Sequence, residues 1–429
     1  MKKCLILGGG IAGLTSAVYL SKAGFKVKLI EASPKLGGRA YSYFDKDLNL
    51  EIDNGQHILM GCYKETLKFL RTIDSIGNLT FQKDLTVNFL KENKNQFQLK
   101  SSNLPYPVGL ITGLLSYKAI TLLERLLLLK FFIKLPFQAI KDLENLTVLE
   151  WLERENQNEM TRKAFWNFIA IGALNTSLNK ASARSLLIIL KEMFLKGKNA
   201  ATIILPGKGL TETYCNEAEK FIQENNGEVV LSEKVVELKV KNSKIVKVKT
   251  TTGELTDFDY VISALPFFAL EKILSPAVEL KKANYKYSSI LSVHLKLDKN
   301  ELTDKFYGLI NSRIHWIFNH GDNITLVISD GDKYMELSKK ELFDLVCDEL
   351  KKYAGIGKGN ILNYRVIKEK RATFIPSNDI EGKRPPTETN IKNFFLTGDW
   401  IDTGLPSTIE SAVKSGRMVT DKILELQGR

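Results

Sequence analysis

Three features of the sequence predict an α/β fold. The chain opens with an apolar strand, a glycine turn, a helix and a second strand, which is a βαβ unit. Near residue 394 the same logic returns as strand, Gly-Asp turn and helix, so the first and last elements belong in one sheet. Between them the apolar periodicity is helical over 104–197 and alternates over 288–328, the marks of a helical insert and a half-buried sheet. Together they define a Rossmann-like domain with an inserted α+β substrate domain containing an antiparallel sheet and helices.

Lys3–Leu7 is the opening strand and Ile11–Lys22 the helix, with Ala17 and Leu20 on its sheet-facing side; 26–31 is the second strand. Between the first two lies Gly8-Gly9-Gly10-Ile11-Ala12-Gly13. A side chain at Gly8 or Gly10 would block the turn or the approach of a pyrophosphate to backbone amides, and Gly13 lets the helix pack on the strand. Glu31 ends the second strand, where a carboxylate accepts hydrogen bonds from ribose hydroxyls and disfavours a 2′-phosphate. In the helical stretch, Thr147-Val148-Leu149-Glu150 offers a capping box. After Pro206-Gly207-Lys208-Gly209 comes a further helix, then β segments at 228–231, 234–240 and 244–250, forming a meander that feeds back into the sheet through a buried strand at 260–263. The closing strand is 394–397 and the closing helix spans about 406–426, either capped by Ser407 through Glu410 or carrying Pro406 in its first turn. The nucleotide domain takes 1–75, 205–270 and 385–429; the substrate domain takes 76–204 and 271–384.

Of 429 residues, 44% are apolar and 26% charged, the balance of a globular enzyme. The net charge of +12 suits an anionic surface or substrate, but it is spread over scattered lysines and no nucleic-acid module accompanies it, so no nucleic-acid partner is expected. Cys4, Cys62, Cys215 and Cys347 show neither CxxC nor metal-ligand spacing and read as reduced thiols. His294, His315 and His320 likewise read as structural, so no metal is expected. The opening strand leaves no room for a signal peptide, which predicts a cytoplasmic address. Residues 104–135 are rich in leucine and phenylalanine, but Lys118, Glu124, Arg125, Lys130 and Lys134 interrupt them, so they should not cross a bilayer. They form either a buried core helix or one that lines a tunnel or dips into one leaflet. No serine triad or glycosidase carboxylate pair stands out, which disfavours hydrolysis.

Downstream of Glu31 and Ala32 comes Leu36-Gly37-Gly38-Arg39-Ala40, and near the end Leu396-Thr397-Gly398-Asp399-Trp400. On these segments the sequence resembles the amine oxidase and phytoene desaturase superfamily of FAD enzymes, with a GR2-type FAD-binding domain. The resemblance implies that Gly37, Gly38 and Arg39 lie along the FAD phosphates, beside the loop residues Gly8, Gly10, Ile11, Ala12 and Gly13 already expected to form the cofactor site. It places Gly398 and Asp399 at the ribityl chain, Asp399 as acceptor of a hydroxyl proton, and Val236 at the adenine end through its backbone. The amides at Thr408 and Ile409 would face the flavin's pyrimidine edge, which a helix N-terminus stabilises when it becomes anionic.

Three further stretches narrow the family: 53–63, with Gly55-Gln56-His57; Lys370-Arg371-Ala372-Thr373-Phe374; and 398–417, with Asp402-Thr403-Gly404-Leu405-Pro406-Ser407-Thr408-Ile409-Glu410. They look like the hydroxysqualene dehydroxylases of squalene and hopanoid synthesis. That resemblance implies reduction of hydroxysqualene to squalene with FADH2 and release of water. Loss of the hydroxyl needs a proton donor: His57 is the first candidate, because histidine titrates near neutral pH, and Asp402 the second. His57 can equally brace a flavin-side loop with Gln56. The partners implied are an apolar isoprenoid, one leaflet at the inner face of the cell membrane, and an external electron donor, since only one dinucleotide fingerprint is present. The rival readings are a carotenoid or phytoene desaturase, an amine or porphyrinogen oxidase, and a flavin-binding partner protein without catalysis.

Overall fold

Strand Lys3–Leu7 is apolar on both faces beyond its first residue, so it needs cover on both sides and takes the middle of a parallel sheet. The computed structural model, which describes residues 1–280 and 283–428, places it there. The strand order is Glu228–Val230, Lys26–Ile30, Lys3–Leu7, Tyr260–Ser263, Phe394–Leu396, every pair parallel. The two ends of the chain thus share one sheet, with one strand between them. Helix Ile11–Lys22 packs on this sheet and helix Ile409–Leu426 packs on that helix: a Cβ built on Gly416 would lie 2.7 Å from the Ala12 carbonyl oxygen.

Of the expected meander, Val235–Lys241 and Lys244–Thr250 pair antiparallel and are joined by Glu254–Leu255 in a separate sheet, whereas Glu228–Val230 lies at the edge of the parallel sheet instead. A seven-stranded sheet forms the second half of the molecule, in the order Ile361–Phe374, Tyr287–Leu297, Asn323–Ile328, Trp316–Asn319, Phe306–Leu309, Thr86–Lys91, Asn95–Lys100. It is antiparallel except where Phe306–Leu309 runs parallel to Thr86–Lys91. One face packs on helix Lys339–Tyr353 through Leu342, Val346 and Leu350; the other meets the helical insert through Phe89, Phe168 and Trp316. Within the insert, Phe131, Trp151 and Trp166 pack ring to ring, and Thr147 and Glu150 complete the expected capping box.

The closing helix starts later than the sequence suggests. Its cap is Thr408, whose hydroxyl accepts from the Ser411 N–H at 3.1 Å. Glu410 is drawn elsewhere: its carboxylate accepts from the N–H groups of Glu65 and Thr66 and from the Thr66 hydroxyl, at 3.0, 2.9 and 2.7 Å. It caps helix Lys64–Thr72, whose own N-cap, Tyr63, makes no side-chain capping bond.

Candidate active site

A cavity of 1120 Å³ runs from the glycine loop, past the end of the parallel sheet, into the helical insert as far as Leu129, Phe132 and Pro136. At its first end two glycine segments lie side by side. The Gly37 N–H donates to the Gly9 carbonyl at 2.9 Å, and Gly10 bridges Gly37 in parallel register. Gly8 and Gly38 have φ of +107° and +60°, where a Cβ is strained. A Cβ on Gly10 would meet only the Gly38 Cα, at 4.0 Å, so the face of the loop opens into the cavity. Helix Ile11–Lys22 has no side-chain cap, which leaves its first amides to an incoming anion. The Glu31 carboxylate accepts from Gly9 and Ser33 N–H groups at 2.7 and 2.8 Å, which fixes its position and leaves lone pairs for ribose hydroxyls. These residues fit a dinucleotide diphosphate and its ribose.

Sixteen of the cofactor-side expectations fall on the cavity wall: Gly8, Gly10, Ile11, Ala12, Glu31, Ala32, Gly37, Gly38, Arg39, Gly55, Gln56, His57, Gly398, Asp399, Thr408 and Ile409. Gly13 does not. It faces the strand, where a Cβ would stand 2.0 Å from the Gly8 carbonyl oxygen, so its role is packing. Val236 is 39% exposed on the meander and lies off the wall. Asp402 is exposed as well: its carboxylate accepts from the Gly404 N–H at 3.2 Å in an Asp-Thr-Gly turn away from the cavity, so the structure removes it as a candidate donor.

Arg39, expected beside the phosphates, and Asp399, expected at the ribityl chain, both line the cavity and pair with one another. Arg39 donates to Asp399 Oδ1 at 2.5 Å and to the Ala372 carbonyl at 2.7 Å, clasping the two ends of the chain. Burial works to raise the Asp399 carboxyl, but Arg39, the Ser407 hydroxyl and Arg384 outweigh it and hold it below the usual carboxylate range. His57 differs from expectation in a way that matters for chemistry. Burial, reinforced by the Arg39 charge, pushes its pKa down to about 4, so at neutral pH the ring carries no transferable second proton. His294 bonds the Thr325 hydroxyl through Nδ1 at 2.9 Å inside the core. Among the described residues no group of three His, Cys, Asp or Glu side chains is placed to hold a metal.

Sequence reasoning missed Arg384, which donates to the carbonyls of Asp399 and Leu405 at 2.7 and 2.5 Å, and also to those of Trp400 and Ile401. It fixes the turn after Asp399 from outside, and a lone arginine before two prolines carries no local pattern announcing this. Tyr287, Asn175, Ser329 and Thr373 also line the cavity unannounced, except that Thr373 lies in the Lys370–Phe374 motif.

A two-ended dinucleotide cradle continuous with an apolar tunnel defines a flavoprotein oxidoreductase that acts on an apolar substrate. The chain belongs to the family of flavin-containing amine oxidoreductases, whose profile matches residues 11–424, and its cofactor is FAD. It is 28% identical over 422 residues to a hydroxysqualene dehydroxylase of Zymomonas mobilis, covering 98% of each chain. It is 26% identical over 460 residues to a 15-cis-phytoene desaturase of an Oncidium hybrid cultivar, covering 98% of this chain and 77% of that one. Among solved structures, an oxidoreductase from Methanosarcina mazei shares the fold, with a TM-score of 0.74, 15% identity, and coverage of 99% of this chain and 100% of that one.

Proposed function

We propose that the protein reduces hydroxysqualene to squalene, with 76–204 and 271–384 as the substrate- and membrane-facing domain. The observation that carries this reading is the unbroken cavity from the glycine cradle to the apolar insert: a C30 alcohol laid along it brings its carbinol carbon to the flavin while its chain stays out of water. The near-full-length likeness to a hydroxysqualene dehydroxylase supports the substrate class. Reduced FAD supplies the hydride that replaces the hydroxyl. The protein's part is to hold the alcohol, exclude water and orient the hydroxyl for protonation. Neutral His57, with Gln56, braces the flavin-side loop and acts as a hydrogen-bonding group, not as a charged acid.

The substrate dissolves in lipid, and the outer surface of the insert suits a lipid leaflet. Leu122, Leu123, Ile133 and Phe137 are 62, 68, 60 and 85% exposed, with exposed Lys118, Lys130 and Lys141 beside them in the sequence. Ile133 also lines the cavity, so the exposed apolar face adjoins the tunnel wall. No helix among the described residues is long and apolar enough to cross a membrane, which fits contact with one leaflet. The test is anaerobic incubation of photoreduced holoprotein with hydroxysqualene in vesicles, followed by product analysis. Squalene is the expected product. Its absence, together with reduction of the oxidised enzyme by phytoene, would replace this reading with a desaturase.

A further inference from the structure

The cavity wall along the insert is largely apolar, with Tyr106, Asn175 and Glu192 as its polar members. Helix Asn167–Leu174 ends at Asn175, which takes the left-handed conformation at φ 47° and is 3% exposed. Its Oδ1 accepts from the N–H of Asp330 at 2.8 Å, and Asp330 is itself left-handed at φ 48°. Its amide nitrogen donates to Thr373 Oγ1 at 3.1 Å. Asn175 thereby ties the insert to the end of strand Ile361–Phe374 and to the residue that follows Ser329. The Ser329 N–H is fixed in turn by His315 Nδ1 at 3.2 Å, an acceptor available because burial keeps that ring neutral. Asn175 takes the left-handed conformation that asparagine readily adopts at a helix C-terminus, which turns its amide toward Asp330 and Thr373.

The chemistry of the two hydroxyls points into the tunnel. Asn175, Ser329 and Thr373 all line the cavity, set among Phe168, Trp316 and Val327. Thr373 Oγ1 is already an acceptor for Asn175, and among the described residues nothing takes its own proton. The Ser329 side chain makes no hydrogen bond among the described residues, although the residue is only 6% exposed. A hydroxyl facing an apolar tunnel is unfavourable unless a ligand pairs with it.

We propose that Thr373 and Ser329, oriented by Asn175, form a hydroxyl-binding station that takes the alcohol oxygen of the isoprenoid substrate. This rests on the dehydroxylase reading and gives a role to Thr373 of the Lys370–Phe374 motif. Thr373 donates to the alcohol oxygen and Ser329 completes its coordination, so the station favours an alcohol over the hydrocarbon formed from it and helps the product leave.

The test compares two ligands on oxidised holoenzyme, where no turnover occurs. Quenching of tryptophan fluorescence, to which Trp316 on the wall contributes, reports binding of hydroxysqualene and of squalene to the wild type and to Thr373→Val, which keeps the side-chain shape. The expected result is a loss of about tenfold in affinity for the alcohol, the scale of one hydrogen bond, with squalene affinity unchanged within about twofold. Equal weakening of both ligands, or no change in either, overturns the station. Ser329→Ala repeats the comparison if the valine variant does not fold. A wild type that fails to convert hydroxysqualene when reduced refutes the dehydroxylase reading itself; a converting wild type with an unselective Thr373→Val refutes the station alone.

Discussion

Gly13 sits where a single methyl group would decide cofactor binding. Its replacement by alanine puts a Cβ 2.0 Å from the Gly8 carbonyl, which must push the helix off the strand that shapes the phosphate loop. Purified Gly13→Ala protein should therefore be colourless, with little FAD released by heat; a full flavin spectrum would show that the loop tolerates the shift. His57 yields a prediction about pH. Its folded pKa of about 4 lies below the ordinary 6.5, so as pH falls the unfolded chain takes up the proton first. The stability contributed by the neutral ring is complete above 6.5 and is lost on descending through about 4. Turnover between pH 6 and 8 should accordingly have the same pH profile in wild type and His57→Gln. An inflection near neutrality that vanishes in the variant would restore the ring as proton donor. The phosphate loop was legible in the sequence because its glycine requirement is local: φ and close approach act on the residue itself. Asp402 misled because an acid in a turn reads the same whether or not a cavity lies beside it. The pairing of Asn175 with Thr373 spans 198 residues and has no local trace.

Element by element, the βαβ opening, the meander and the closing strand follow from apolar pattern and turn chemistry, and the structure moves their ends by only a residue or two. The hairpin Thr86–Lys91 and Asn95–Lys100 was not legible. Its second strand exposes polar Asn95, Gln96 and Gln98 at the edge of the sheet, so the period-two signal is weak there, and the parallel partner of the first strand comes more than two hundred residues later. The late start of the closing helix was hidden for a related reason: Glu410, three residues after Ser407, suggests a local capping box but serves the start of Lys64–Thr72 instead. Burial raises the Glu410 pKa, against the pull of its bonds to Glu65 and Thr66. Glu410→Ala should leave three donors at the head of that helix without their acceptor and lower folding stability by about 1–3 kcal/mol in urea denaturation. A midpoint equal to that of the wild type would mean that water replaces the carboxylate.

On the scale of the whole molecule, the leaflet reading separates surface from tunnel. Leu123→Glu combined with Phe137→Glu places two charges on the exposed face without touching the cavity wall. The double variant should lose most of its flotation with anionic vesicles while retaining FAD content and activity toward detergent-solubilised substrate. Undiminished flotation would move the contact to another face. The Arg39–Asp399 clasp has a consequence for how such a protein is made. Arg39 leaves the ribosome 360 residues before its partner, and the helix that packs across Ala12 follows later still. The cradle begun by the first forty residues therefore waits through almost the whole of translation with its anion-binding amides made but its clasp and its sheet incomplete. A chain cut short before residue 399 keeps the glycine loop but lacks the Asp399 clasp and the closing helix, so it should not retain FAD.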